Sequence, residues 1–160
     1  MIHVISFNFV LACCLFYSLR SGGRPEKAAM LTQTAAALFT IIAIHLLPRS
    51  VTFTGVALGL VIIDIGLLVA LAWLALRANR LWTIVLAGLQ LSTMIVHLSK
   101  AVFPALPAAS YGIFAQFWAW PMLLTTAVGI HCHRVRTRRF GEEPDWKPLW
   151  PHSARAVSTI

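Results

Sequence analysis

Residues 55–76 read GVALGLVIIDIGLLVALAWLAL, and this stretch decides the class of fold. It carries a single charged side chain, Asp64, and about 20 apolar residues in a helix are enough to cross the hydrocarbon core of a bilayer. In the whole chain of 160 residues, 59% are hydrophobic and 11% are charged, whereas about 25% are charged in an average soluble domain. The composition therefore predicts an integral membrane protein and excludes a disordered chain, a coiled coil and a disulfide scaffold.

Four other segments are long and apolar enough to cross a bilayer, and short connections with glycine, proline or arginine separate them. The five predicted spans are residues 2–19, 28–47, 55–76, 81–98 and 111–130. The remaining residues, 131–160, are predicted to form a basic tail that is too short to fold alone. The expected fold is an all-α transmembrane bundle of five helices over residues 1–130, with the third helix at its centre.

The lysines and arginines predict how the bundle is oriented. All 13 except Arg49 and Lys100 fall on one side of the predicted membrane, and basic residues accumulate on the cytoplasmic side of membrane proteins. We therefore expect Met1 outside and the tail in the cytoplasm. The expected location is the plasma membrane, or the inner membrane if the cell is bacterial, which the chain crosses several times. This orientation explains the net charge of +8, so the expected partner is the lipid bilayer and not nucleic acid.

Asp64 is the only acidic residue inside a predicted span. A carboxylate at that depth costs roughly 2.5–3.5 kcal/mol on insertion scales, so its neighbours must offset the cost. The polar residues predicted at a similar height are Asn8, Thr93 and Gln116. Gln90 belongs to a polar stripe of the fourth span, in which Thr83, Gln90 and His97 recur every seven residues. Two interpretations stay open: a structural hydrogen bond between helices, or a polar pocket in which Asp64 acts as a proton carrier, counter-ion or metal ligand.

Three histidines, His3, His45 and His97, lie near the outer boundary of the predicted membrane. His45 and His97 on different helices could be the axial ligands of a b-type haem, and all three with Asp64 could hold zinc, copper or iron. Interfacial or hydrogen-bonded histidines are the alternative. The motif at residues 131–133, HCH, is interpreted as a boundary that faces the headgroups, because imidazoles two residues apart on a helix diverge by about 200°.

The fifth span is rich in aromatic residues. Phe114, Phe117, Trp118 and Trp120 could form a wall against a lipid, quinone, carotenoid or porphyrin, or could simply pack and contact lipid. Pro121 is expected to kink this helix and to free a backbone carbonyl near Phe117.

The third span holds a GxxxG pattern, Gly55 to Gly59, and Gly66 falls on the same predicted helix face. Such faces let helices approach closely. The pattern predicts packing within the bundle, or contact with a membrane-protein partner or a second copy of the chain. Asp64 is expected on the opposite face.

We find no catalytic motif, so an enzyme is less expected than a binding protein, although the sequence leaves this open. The first hypothesis is an accessory or binding subunit, or a scaffold, of a larger membrane assembly. The second is a small proton- or cation-coupled transporter that uses Asp64. The third is a membrane protein that binds haem or a transition metal through His45 and His97, which is the only cofactor role that the sequence raises.

Overall fold

The computed structural model describes residues 2–46, 52–53, 56–141 and 145–146. Its helices are α1 (Ile2–Ser21), α2 (Arg24–Leu46), α3 (Leu58–Arg77), α4 (Trp82–Val102), α5 (Ala108–Phe117) and α6 (Ala119–Phe140). Between α2 and α3, β1 (Thr52–Phe53) pairs antiparallel with β2 (Val56–Ala57). With α5 and α6 counted as one crossing, the described residues contain five helices long and apolar enough to span a membrane.

The helices form a ring in which each span packs against the next one along the chain. α2 contacts α1 and α3, and α3 contacts α4. α6 closes the ring because it contacts both α4 and α1, and it also reaches across to α2. Because successive spans run in opposite directions, the first and the last of the five spans run in the same direction. The contact of α6 with α1 is therefore a contact between parallel helices.

The third helix is not central, which corrects the expectation from the sequence. α3 contacts its neighbours α2 and α4, and Leu71 and Leu74 are its buried residues. Its Ile62 and Val69 side chains are 68% and 63% exposed. A Cβ added at Gly66 would meet nothing within 4 Å, so this glycine does not mark a close helix contact. The most central helix is α6, which contacts α1, α2 and α4.

The GxxxG pattern does not form a helix face. Gly55 lies outside the described residues, and the two residues after it, Val56–Ala57, form a strand instead of the first turn of α3. α3 begins only at Leu58, so Gly59 is the one glycine of the pattern in the helix. A partner contact through Gly55 and Gly59 stays a prediction. The helix face on which that prediction rested is not part of α3.

The fifth span is broken beside its proline. α5 ends at Phe117 and α6 begins at Ala119, with Pro121 in the first turn of α6. Proline has no N–H to donate to the carbonyl of residue 117, so one continuous helix is disfavoured there. α6 then runs to Phe140, well past the predicted end at residue 130. The first part of the predicted tail is therefore helical.

Two apolar cores fill the half of the bundle that contains Arg80, which we call the arginine end. Their fully or nearly fully buried members include Leu71, Leu74, Leu86 and Met122 in one core and Leu11, Met30, Leu123 and Ile130 in the other. α6 approaches α4 closely because Gly129 faces Trp82: a Cβ added at this glycine would lie 2.7 Å from the indole ring. The other half of the bundle, the histidine end, contains His97 and Tyr111.

Candidate functional site

A cavity of about 320 Å³ lies inside the ring at the histidine end. All six helices contribute to its wall, and most of the lining side chains are apolar. Its floor consists of the lining residues nearest the arginine end, which are Leu11, Gln33, Leu67, Gln90 and Met122. Small-molecule sites commonly have volumes of about 300–1,000 Å³, so the cavity is large enough for a small organic molecule.

Three polar side chains from three helices form a hydrogen-bonded chain in the cavity wall. Nε2 of His97 lies 2.9 Å from Oδ2 of Asp64, and Nδ1 of His97 lies 2.6 Å from the hydroxyl of Tyr111. On the other side of the carboxylate, Gln90 donates from Nε2 to Oδ1 of Asp64 at 3.2 Å and to its backbone carbonyl at 3.1 Å. His97 and Gln90 are buried, whereas the Asp64 side chain is 25% exposed and lines the cavity.

The connection between α4 and α5 brings Tyr111 next to His97. The buried ammonium of Lys100 donates to the carbonyl of Pro104 at 2.7 Å and to that of Leu106 at 2.5 Å. These bonds satisfy two carbonyls in the connection between α4 and α5, where no helix supplies a backbone partner. The chain therefore turns back at once, and the first helical turns of α5 place the phenol against the imidazole at 2.6 Å.

Two protonation states are compatible with the same positions of the heavy atoms. In the first, Tyr111 donates its hydroxyl proton to Nδ1 of a neutral His97, and the Nε2–H of His97 donates to an ionised Asp64. In the second, His97 carries both protons and the Tyr111 oxygen accepts one of them. The three side chains together carry a charge of −1 in the first state and 0 in the second. The same heavy-atom geometry is therefore compatible with either state.

The five residues predicted for a polar pocket come together in the structure. Asn8, Asp64, Gln90, Thr93 and Gln116 all line the cavity. The Asn8 side chain donates to the carbonyl of residue 4 in its own helix at 2.8 Å, which reduces its capacity for a ligand. That these residues bind a ligand stays a prediction. Tyr111 and Gln33, which also line the cavity, were missed, and only their polarity inside apolar spans marks them in the sequence.

The histidines do not fit an axial pair for haem. Both ring nitrogens of His97 are engaged, one by Asp64 and one by Tyr111. His45 is exposed, is absent from the cavity lining, and lies with Nδ1 2.8 Å from the carbonyl of Ile41 in its own helix. The side chain of His3 lies outside the described part of the chain. The described positions of His45 and His97 therefore do not support a haem or metal site that both residues share.

The four aromatic residues predicted to hold a hydrophobic ligand face different surroundings. Trp120 lines the cavity and contacts Phe7 edge to face, with the ring centres 5.6 Å apart. Phe114 and Phe117 are 59% and 56% exposed and are absent from the cavity lining. Trp118 is half-buried and its ring centre lies 5.4 Å from that of Phe117. Of these four aromatic residues, only Trp120 is thus placed to touch a molecule in the cavity.

A second polar cluster lies at the arginine end. Arg80 Nε is 3.8 Å from Oε1 of Glu26, and Arg80 Nη2 is 3.4 Å from Oδ1 of Asp145 and from Nδ1 of His133. The guanidinium is 1% exposed and the Glu26 carboxylate is fully buried. Asp145 also accepts a hydrogen bond from the backbone N–H of Arg24 at 3.1 Å, which caps the start of α2. This cluster was not predicted from the sequence, because residues 131–160 were expected to form a basic tail that is too short to fold alone.

The two polar groups differ in what they can do chemically. The cavity joins a carboxylate and its hydrogen-bonded imidazole to open space, whereas the cluster at the arginine end places one guanidinium within 3.8 Å of two carboxylates. Comparisons with protein families, with curated proteins and with solved structures find no match to this chain.

Proposed function

We propose that this protein binds a small amphipathic organic cation inside the membrane, with Asp64 as its counter-ion. The observation that carries the proposal is a partly exposed carboxylate that lines a cavity of about 320 Å³ and is hydrogen-bonded by Gln90 and His97. In the state with neutral His97, the two described side chains that hydrogen-bond to this carboxylate, those of Gln90 and His97, both donate to it without carrying a positive charge. A cation that enters the cavity supplies the missing charge.

The rest of the wall matches the apolar part of such a ligand. Aliphatic side chains from several helices line the cavity, and the aromatic rings of Phe7, Tyr111 and Trp120 are among the lining residues. Aromatic faces attract organic cations by about 0.5–2 kcal/mol, more when the pair is removed from water. An anion would instead be repelled by Asp64. The wall thus favours a cation with an apolar or aromatic body over a polar or anionic solute.

The binding test uses benzyltrimethylammonium and neopentylbenzene, its uncharged isostere, with the full chain in detergent and calorimetry as the measurement. Asp64→Asn should lower the affinity for the cation at least about tenfold, because removing one member of a buried charge pair costs about 2–5 kcal/mol. The same variant should leave the weak binding of the isostere nearly unchanged. Asp145→Asn, which neutralises a carboxylate at the other end of the bundle, is the control and should not affect cation binding. Equal binding of both compounds, or an unchanged affinity in Asp64→Asn, would contradict the proposal.

Proton-coupled transport of the bound cation is a second candidate, and the chain of Tyr111, His97 and Asp64 favours it. A cation beside Asp64 stabilises the state in which His97 has released its proton, so cation and proton compete for one negative charge. In liposomes, an imposed pH gradient should then drive uptake of the cation by the unmodified protein. Binding without any gradient-driven flux would leave the protein as a binding protein and reject the transporter.

The accessory or scaffold role stays a prediction that a stoichiometric copurifying partner would support.

We propose further that the arginine end faces the cytoplasm of a cell whose plasma membrane contains the protein. All described lysines and arginines except Lys100 belong to helix ends or connections at the arginine end, and the positive-inside rule favours this orientation. A green fluorescent protein fused after residue 160 should fluoresce in a bacterial host, and alkaline phosphatase fused there should be inactive. The reverse result would place the arginine end outside.

A further inference from the structure

We propose that Glu26, His133 and Asp145 form a binding site for a divalent transition-metal ion at the arginine end, independent of the cavity. Each residue offers one ligand atom, and these atoms all lie within 4.8 Å of one another. Glu26 lies in the first turn of α2, His133 in the last third of α6, and Asp145 in the segment after α6. The site therefore joins the start of one helix, the end of another and the chain that follows it.

The Glu26 carboxylate is the first independent sign of a missing ligand. Its side chain is fully buried, and neither oxygen has a hydrogen-bond partner among the residues that the structure describes. Its ion-pair distance to Arg80 is 3.8 Å, which is too long for a charge-assisted hydrogen bond of about 2.7–2.9 Å. A buried carboxylate without close partners is costly, and coordination to a cation removes that cost.

The backbone at Gly23 is the second sign, because all three proposed ligands converge on it. A Cβ built there would lie 2.8 Å from Oδ1 of Asp145, 2.9 Å from Oε2 of Glu26 and 2.9 Å from Cε1 of His133. Any larger residue would push these side chains apart. The glycine thus leaves space at the single point where two carboxylates and one imidazole meet.

The donor set identifies the chemical class of the ion. One imidazole nitrogen with two carboxylate oxygens suits zinc and the other divalent first-row transition metals, whereas calcium and magnesium prefer oxygen alone and copper(I) prefers sulfur. The four side chains, with Arg80 included and His133 neutral, sum to a formal charge of −1, so a divalent cation is electrostatically compatible. Arg80, at 3.4 Å from Asp145, would stay as the partner of the carboxylate oxygens that the ion does not use.

The test is a zinc titration of the full chain without a histidine tag, purified in detergent and stripped with a chelator. Calorimetry should give one zinc ion per chain, and His133→Gln should lower the affinity at least about tenfold, the order of loss known for disturbed metal sites. His131→Gln is the matched control, because His131 is exposed on the same helix two residues away and should bind nothing at this site. Cobalt bound in place of zinc should give visible absorption that disappears in His133→Gln.

The outcomes separate a metal site from a purely structural charge cluster. Glu26→Gln should also weaken zinc binding. If this variant does not fold, Asp145→Asn and Gly23→Ala take its place, and both should weaken zinc binding while the protein still elutes as a monodisperse species. Absence of stoichiometric zinc, or equal affinity in the His131 and His133 variants, would overturn the proposal. Asp64→Asn should leave zinc binding unchanged, so the metal site and the cation cavity can fail independently.

Discussion

Replacing Arg80 by methionine should lower the free energy of unfolding by about 3–5 kcal/mol, the range for breaking a buried ion pair from one side. The guanidinium is 1% exposed and forms an ion pair of 3.8 Å with the fully buried Glu26. Methionine fills much of the same volume but leaves the fully buried Glu26 carboxylate and the partly buried Asp145 carboxylate without their shared cation. The measurement is unfolding in mixed micelles with a chelator present, so that a bound metal ion cannot replace the lost charge.

Arg77→Met is the matched control for this prediction. Arg77 ends α3, is exposed, and lies over the ring of Trp73 with 5.6 Å between the guanidinium carbon and the ring centre. Such exposed contacts contribute about 0.5–1 kcal/mol. Adding Glu26→Gln to Arg80→Met should recover part of the loss, because it removes one of the uncompensated charges. Similar losses in Arg77→Met and Arg80→Met would show that the buried charges do not determine stability at this end.

Replacing Gly129 by leucine should be the second most damaging change, with a loss of about 3 kcal/mol at the upper end of the range for overpacked cores. A Cβ at this position would already lie 2.7 Å from the Trp82 ring, and the ring is too bulky to move aside in a packed interface. The extra carbons of leucine would force α6 away from α4. The change should be seen as a lower unfolding midpoint in mixed micelles.

Gly88→Leu provides the comparison for Gly129→Leu. Gly88 lies in α4 and is exposed, and a Cβ there meets nothing within 4 Å. The two substitutions have the same chemistry and differ in whether the glycine faces another helix. Gly88→Leu should therefore change stability by less than about 1 kcal/mol. If both variants were equally stable, the close packing of α6 on α4 would be wrong.

The positions of the helices could be predicted from the sequence to within a few residues in most cases. The first span was expected at 2–19 and extends over Ile2–Ser21, and the fourth was expected at 81–98 and extends over Trp82–Val102. Errors occurred at the ends. α2 begins at Arg24 and not at residue 28, because its charged first turn is stabilised by Arg80 and Asp145, which are distant in sequence.

The candidate site could be predicted only as a set of heights along the predicted spans. Asp64, Asn8, Thr93 and Gln116 were expected in one polar layer, and all four line one cavity. Their neighbours could not be predicted, because residue counting gives the height of a side chain but not the helix that it faces. The hydrogen bond between His97 and Tyr111 depends on the tight turn that Lys100 holds, and no periodicity in the sequence encodes that turn.

The sequence by itself determined that the chain forms five apolar helices and where its charges and polar groups lie along them. The physical reason is local: in lipid, a long apolar segment must satisfy its own backbone hydrogen bonds, and a helix does so whatever its neighbours are. Only the tertiary structure decided that α6 is central, that Asp64 meets His97, and that Glu26, His133 and Asp145 converge at Gly23. Those outcomes depend on how helix surfaces fit together, as at Gly129 and Trp82, and the apolar pattern does not specify that fit.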